Sequence, residues 1–333
     1  MQLRMEFQQS SVGDEVSAVT AVVRPILEGV LYALKGSLVE QFGGYEKISL
    51  EMLSRLYRPG DGDCGICFEY AVHDALNRGE ASVLERLHAA MVTCNVPGSD
   101  PASILFGVEK GGALNLVDTA KDKLTDESRL LAGTRGQPAK LKRHIDSIAA
   151  AFRKREARDA LPWSMSGLWK ADLFVGNTDA DRWVGTTVKI NPSQLEGARG
   201  LRIGIVPARE GATDRVRRDD QRNLVICPLP YDGAFMEVFY EGWGVVQQFI
   251  SADAQLPREV ALPRQAERQV ARYLADRRGF PVLEVIDVLG PLSQPELLQT
   301  QARDADLVSR RETPIEAETG AVVAPFAKSL PAK

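Results

Sequence analysis

A chain of 333 residues with 44% hydrophobic and 26% charged side chains has the composition of an ordinary globular protein and enough apolar residues for a sizeable core. Its formal net charge of -4 excludes a global basic field, so contact with nucleic acid must rest on local patches. No apolar run reaches the roughly 20 residues of a bilayer span, and the first residues, Met1-Gln2-Leu3-Arg4-Met5-Glu6-Phe7, lack the apolar core of a signal peptide, so the expectation is a cytoplasmic protein without membrane contact.

Residues 1–15 are polar and are expected to be loosely held. Over 16–41 the apolar positions Val19, Val22, Val23, Ile26, Leu27, Val30, Leu31 and Leu34 recur every three or four residues, the period of an amphipathic helix. Pro25 falls inside it and marks a kink or a second start. A short helix over 49–56 follows, with Ser49 as its cap. The glycine- and aspartate-rich turn 59–65 opens into a helix over 66–76, on which Glu69 and His73 lie four apart on one face. Glu69 sits near the first turn, where the helix dipole favours a carboxylate. It reads either as a dipole-stabilised surface glutamate or as a metal or catalytic carboxylate aimed at the centre of the chain. A further helix is predicted over 81–94.

Cys64-Gly65-Ile66-Cys67 is a CxxC, which reads as half a zinc site or as a redox pair. A zinc site needs two more ligands, and Cys94, Cys227 and the three histidines are scattered. The motif also follows a turn rather than a strand. Structural thiols are the expectation for all four cysteines.

Residues 97–101 form a loop, and 103–108 a short strand or the start of a lid. The stretch 114–158 is predicted to be rich in helix, broken at 133–138. Its second half carries Lys140, Lys142, Arg143, His144, Arg153, Lys154, Arg155 and Arg158. Such a helix is either a solvated face or a surface for a DNA backbone. Further on, 201–207 and 223–229 read as buried strands, joined by a loop bearing Arg209, Arg215, Arg217, Arg218 and Arg222. Amphipathic helices are expected over 233–250 and 264–277, and 283–289 as a short strand or helix. The chain turns polar beyond about Pro291, and 310–333 has the composition of a mobile tail.

The rest of the chain is organised around 169–191. Two β-prone runs, beginning at Trp169 and Trp183, flank the polar turn 177–182 and predict a β-hairpin. If Gly176 faces Trp183, the ladder sets Asp172 opposite Thr187. Thr187 and Lys189 are two apart and share a face. An acid, a hydroxyl and a lysine then meet on an otherwise apolar hairpin, where charge is costly unless it is paired or binds something. One reading is an Asp172–Lys189 ion pair at a sheet edge, and the other is a functional site.

A glutamate on a preceding helix (Glu69), an aspartate on the first hairpin strand (Asp172) and the tripeptide Thr187-Val188-Lys189 on the second make the chain resemble the PD-(D/E)XK nuclease superfamily, the restriction-endonuclease-like and Holliday-resolvase-like group, over residues 65–230. The resemblance implies an α/β fold with a restriction-endonuclease-like core, a mixed central sheet of roughly four or five strands flanked by helices. The chain then divides into an N-terminal helical extension (1–60), a nuclease-like core (61–232) with a helical insertion at about 95–160, a C-terminal helical region (233–309) and a flexible tail (310–333). It implies catalysis by Lys189, Asp172 and Glu69, and Mg²⁺ or Mn²⁺ held by Asp172, Glu69 and the backbone carbonyl at Val188. Gln194 stands where some members carry a glutamine soon after the lysine. It would touch substrate, and Lys142, Arg143, Arg217 and Arg218 would contact phosphates.

Thr187 departs from the pattern, which has Asp or Glu there. A threonine hydroxyl is a weak, neutral ligand for a hard divalent ion. Either Glu69 substitutes for the acid, or Glu196 or Asp179 reaches in, or chemistry has been lost. Two functions follow. The first is a metal-dependent DNA endonuclease hydrolysing phosphodiester bonds. Fold-level analogy sets it in a bacterial restriction or antiphage defence system with a protein partner, and cleavage of both strands favours a homodimer. The alternative is a catalytically degenerate nuclease-fold protein that binds nucleic acid or a protein partner. There is no P-loop, no GxGxxG after a strand and no G-x-S-x-G to support another enzyme class.

Overall fold

A computed structural model describes residues 2–57, 63–105, 123–132, 138–162, 165, 171–197, 200–209, 214–231, 235–256 and 261–293. The expected tail, the glycine-rich turn at 59–62, the lid segment after Leu105, Trp163, Trp169 and Arg199 lie outside these residues. So do the expected domain boundaries near 60 and 232.

Helix α1 (Gln2–Tyr32) starts well before the predicted position 16, runs through Pro25 and stops short of 41, where a separate α2 (Gly36–Gln41) takes over. A proline inside a helix forfeits one hydrogen bond. Burial offsets that loss, because Val22, Val23, Ile26 and Leu27 on either side of it are fully buried. Helix α3 (Leu50–Leu56) starts where its cap predicts, with Ser49 Oγ accepting the Met52 N–H at 3.2 Å. Helices α4 (Asp63–Arg78) and α5 (Ala81–Thr93) follow.

Eight strands then build one sheet: β1 (Pro101–Leu105), β2 (Arg129–Leu130), β3 (Ala139–Lys140), β4 (Leu173–Asn177), β5 (Arg182–Val188), β6 (Arg202–Pro207), β7 (Arg217–Asp219) and β8 (Leu224–Leu229). Their order is β1-β4-β5-β6-β8-β7, with β2 beside the start of β5 and β3 beside β2. The β4–β5 hairpin is antiparallel, β5, β6 and β8 run parallel, and β1 and β7 close the path as antiparallel edges. The protein is therefore mixed α/β, an eight-stranded mixed sheet flanked by helices. The sheet is wider than the four or five strands expected.

Period-two alternation sorts the side chains between two cores. Leu173, Val175, Val184, Val188, Ile203 and Ile205 join the main core with α1, α4, α5, α8 (Phe235–Ser251), α9 (Gln265–Asp276) and α10 (Val282–Leu289). This core draws on residues from Val16 to Leu289, so the N- and C-terminal helices share it with the sheet. α8 crosses α1 so closely at Gly242 that an added Cβ would lie 2.6 Å from Val22. On the other face, Phe174 and Trp183 meet Leu141, Ile145, Ile148 and Ala151 of α6 (Leu141–Arg153), which is followed by α7 (Arg155–Asp159).

Two local expectations are corrected. Residues 124–132 and 138–140 are not helical. Ser128 Oγ donates to Asp181 Oδ1 at 2.5 Å, and Arg129 and Leu130 pair with β5 instead. Residues 217–219, expected as loop, form the β7 edge by pairing with β8. Of the two alternatives for residues 283–289, the helix is the one observed, as part of α10. Among the described residues, no helix is long and apolar enough to cross a membrane.

None of the four cysteines forms a disulfide. Cys67 Sγ donates to the Ile26 carbonyl at 3.6 Å, and burial pushes the Cys94 and Cys227 thiols up to about 12. Buried thiols so far from ionisation act as small apolar side chains. Met91 and Trp183 are core residues.

Candidate functional site

The hairpin register places Gly176 against Trp183 and Leu173 against Thr186. One step further, the Asp172 N–H donates to the Thr186 carbonyl at 2.9 Å, which brings Asp172 level with Thr187 where β4 begins and β5 ends. Thr187 Oγ1 donates to Asp172 Oδ2 at 3.0 Å, and the Val188 N–H donates to the same oxygen at 2.9 Å. Lys189 Nζ lies 2.9 Å from that oxygen and 3.3 Å from Glu69 Oε1. The predicted acid, hydroxyl, lysine and helix glutamate thus form one cluster. Glu69 is no surface glutamate, since its side chain is 13% exposed and reaches the hairpin.

The Asp172–Lys189 ion pair exists, but not at a sheet edge: β4 and β5 are the second and third strands of the path. Three donors converge on one carboxylate oxygen, and charge-assisted bonds of this kind are the stronger ones. Burial alone would lower the Lys189 ammonium, but the adjacent Asp172 and Glu69 carboxylates outweigh it and hold its pKa above the usual lysine value. Val188 enters the cluster through its N–H, a donor to Asp172 Oδ2.

His73, one helical turn beyond Glu69, takes another path. Its Nδ1 lies 3.0 Å from Ser103 Oγ on β1, and Nε2 lies 3.0 Å from Asn77 Nδ2. Burial, with the Lys123 charge nearby, lowers the imidazole to about 3, so it is neutral and docks α4 to the sheet. Asp179 is also elsewhere. It sits in the hairpin turn and accepts the Ser99 N–H at 2.9 Å, so it does not replace the missing acid. Gln194 is exposed on a short 3-10 turn, with its N–H given to the Asn191 carbonyl at 3.0 Å.

The predicted cations divide. Lys142 is half-buried and Arg143 exposed on α6, the helix that covers the Phe174 and Trp183 face of the hairpin. Arg217 and Arg218 lie on β7, three strand spacings from β5 and so about 14 Å away. Acids of their own loop neutralise much of that patch. Arg218 pairs with Asp220 at 2.6 Å, Arg222 with Asp219 at 2.9 Å and Arg209 with Asp214 at 2.9 Å.

Arg202 was passed over by the sequence reading. It lies on β6 opposite Gly185 of β5 and is 3% exposed. Burial lowers its guanidinium against the opposing pull of Asp172 and Glu196. The signal was a charge inside the run Leu201-Arg202-Ile203-Gly204-Ile205, alternating with isoleucines that face the main core.

Two carboxylates, Asp172 and Glu69, flank one ammonium, and among the described residues no group of three or more His, Cys, Asp or Glu side chains is arranged to hold a metal ion. Mg²⁺ is commonly held by one or two carboxylates, with water and substrate phosphates completing its shell. The donor set meets that minimum. Comparison with family models, with curated proteins and with solved structures gives no match in any of the three.

Proposed function

We propose that the protein is a metal-dependent DNA endonuclease built on a restriction-endonuclease-like core, with Asp172, Lys189 and Glu69 as its catalytic set. The observation that carries this reading is the convergence of Lys189 on Asp172 and Glu69, at 2.9 and 3.3 Å, on an interior hairpin of a mixed sheet. Such charges are costly to bury in a core and serve no evident packing purpose. The resemblance to PD-(D/E)XK nucleases rests on the same three residues and their order along the chain.

Hydrolysis forms a bond from a water oxygen to phosphorus and breaks the bond from phosphorus to the leaving sugar oxygen. The attacking water gives up a proton to solvent, and the leaving sugar oxygen takes one up from solvent. A Mg²⁺ or Mn²⁺ ion held by Asp172 and Glu69 would supply charge stabilisation at the phosphate. Thr187 and the Val188 N–H fix the Asp172 carboxylate. The Lys189 ammonium is placed to donate to the attacking water or to a phosphate oxygen, where a positive donor favours the developing charge. Lys142 and Arg143 on α6 are the cations best placed to meet the strand backbone, whereas Arg218 is engaged with Asp220.

A second reading has its own observation. Thr187 stands at the acid position and spends its hydroxyl hydrogen on Asp172. That arrangement suits a non-catalytic protein that binds nucleic acid or a protein partner through a degenerate nuclease core. Incubation with supercoiled plasmid and with a single-stranded circle, in Mg²⁺ or Mn²⁺, separates the readings. The endonuclease nicks or linearises DNA as wild type and loses this in Asp172→Ala. The binder retains DNA or a partner in EDTA and cuts nothing.

A further inference from the structure

We infer that Arg202 is a positioning residue that keeps Asp172 from taking up a divalent cation on its own, so that metal enters this site only together with a phosphate. The inference rests on the metal-centre reading above and assigns a role to a residue that lies outside the hairpin.

The parallel β5–β6 register sets Arg202 opposite Gly185 and Gly204 opposite Thr187. Residues paired across a sheet point to the same face, so Arg202 projects on the side shared by Gly185, Thr187 and Asp172. Gly185 has no side chain to stand between Arg202 and β4. On the other side Arg202 is paired with Leu224, which is 1% exposed and apolar. A buried guanidinium is expensive unless carboxylates compensate it. Among the described residues, the carboxylates of Asp172 and Glu196 exert their fields on Arg202.

Asp172 therefore faces two cations. Lys189 touches it at 2.9 Å, and Arg202 acts from β6, across β5 on the same face of the sheet. A divalent ion arriving at Asp172 competes with the three donors on Oδ2 and is repelled by Arg202. Lys189 can swing away, since its side chain is 29% exposed, but Arg202 is enclosed and its charge stays. A phosphodiester brings the negative charge that cancels this repulsion. Across two strand spacings, about 10 Å, one fixed positive charge in a partly buried site is enough to weaken divalent binding by about tenfold.

The test is Mn²⁺ titration followed by the paramagnetic resonance of the free ion, on the full chain without nucleic acid, for wild type, Arg202→Gln, Arg202→Lys and Asp172→Asn. Thermal melts in EDTA establish that each variant is folded. Arg202→Gln is expected to bind Mn²⁺ about tenfold tighter than wild type, Arg202→Lys to stay near wild type, and Asp172→Asn to bind least. A purely structural role for Arg202 would weaken binding or leave it unchanged, so equal Mn²⁺ affinity in wild type and folded Arg202→Gln overturns the inference while the metal centre stands. Tight, micromolar Mn²⁺ binding by wild type alone, lost in Asp172→Asn, overturns it without any variant at position 202. Absence of binding at Asp172 in every protein, Arg202→Gln included, removes the metal centre and this inference together.

Discussion

Thr187 Oγ1 donates its hydrogen to Asp172 Oδ2 at 3.0 Å, so the residue at the position of a second acid acts as a support for the first. Two substitutions probe that role. Thr187→Val removes the donor but leaves the Val188 N–H and Lys189 on the same oxygen, and it should cost about 1–2 kcal/mol in urea denaturation. Thr187→Glu sets a second carboxylate against Asp172. In EDTA it should be destabilised on the order of 2–4 kcal/mol by like-charge repulsion, and Mn²⁺ should restore most of the loss. A Thr187→Glu protein as stable as wild type in EDTA would contradict the placement of the two side chains.

The basic surface should act unevenly. Lys142 and Arg143 stand on the helix that covers the hairpin, while Arg218 is held by Asp220 at 2.6 Å on the far edge of the sheet. Removing a phosphate contact lowers the salt slope of DNA binding by about 1 per residue. Duplex binding measured by fluorescence anisotropy over a salt series should show that loss for Lys142→Ala and Arg143→Ala, and no change for Arg218→Ala. The reverse ranking would move the DNA track to the β7 edge.

Two carboxylates away from the site make stability depend on pH. Burial first, and Asp74 second, raise Glu28 from 4.5 to about 7. Burial also raises Glu241 to about 7, with Glu267, Glu237 and Glu15 adding to the effect and Arg264 opposing it. Both hold a proton more tightly in the fold than in the unfolded chain. Their stabilisation is complete below about pH 4.5 and is lost as pH rises through about 7. Loss of the Glu28 contribution should cost on the order of 2 kcal/mol between pH 5 and pH 8, and loss of the Glu241 contribution less, since Arg264 pairs with it and solvent screens it. Melting curves should show wild type weaker at pH 8 than at pH 5, with the difference reduced in Glu241→Gln and in Glu28→Gln. A pH dependence untouched by both substitutions would contradict this origin.

The hairpin and its register were legible in the chain because they depend on local signals. Period-two alternation, a polar turn and Gly176 facing Trp183 fix which residues oppose which. The link from Lys189 to Glu69 spans 120 residues, and it was reachable only through the motif that joins them. Arg202 shows the limit from the other side. Its burial could be guessed from the isoleucines around it, but its closeness to Asp172 depends on β6 pairing with β5 in parallel, and no local signal encodes that. The short strands were hidden for a different reason. β2 and β3 have two residues each and carry no period, while Arg217-Arg218-Asp219 of β7 lacks any apolar pattern. Helix α1 runs unbroken through Pro25 because its buried apolar face outweighs the penalty there.

The central claim is that Lys189, Asp172 and Glu69 form a hydrolytic site, and it is tested most directly by plasmid cleavage. Supercoiled DNA would be incubated with wild type and with Lys189→Ala, each with Mg²⁺, Mn²⁺ or EDTA, after melting curves have shown both proteins to be folded. The account predicts nicking or linearisation by wild type with metal, none in EDTA, and at least a hundredfold loss in Lys189→Ala, of the size typical for a charged group acting at the transition state. Equal cleavage by the two proteins would contradict it, because the reaction would then proceed without the residue on which the site converges.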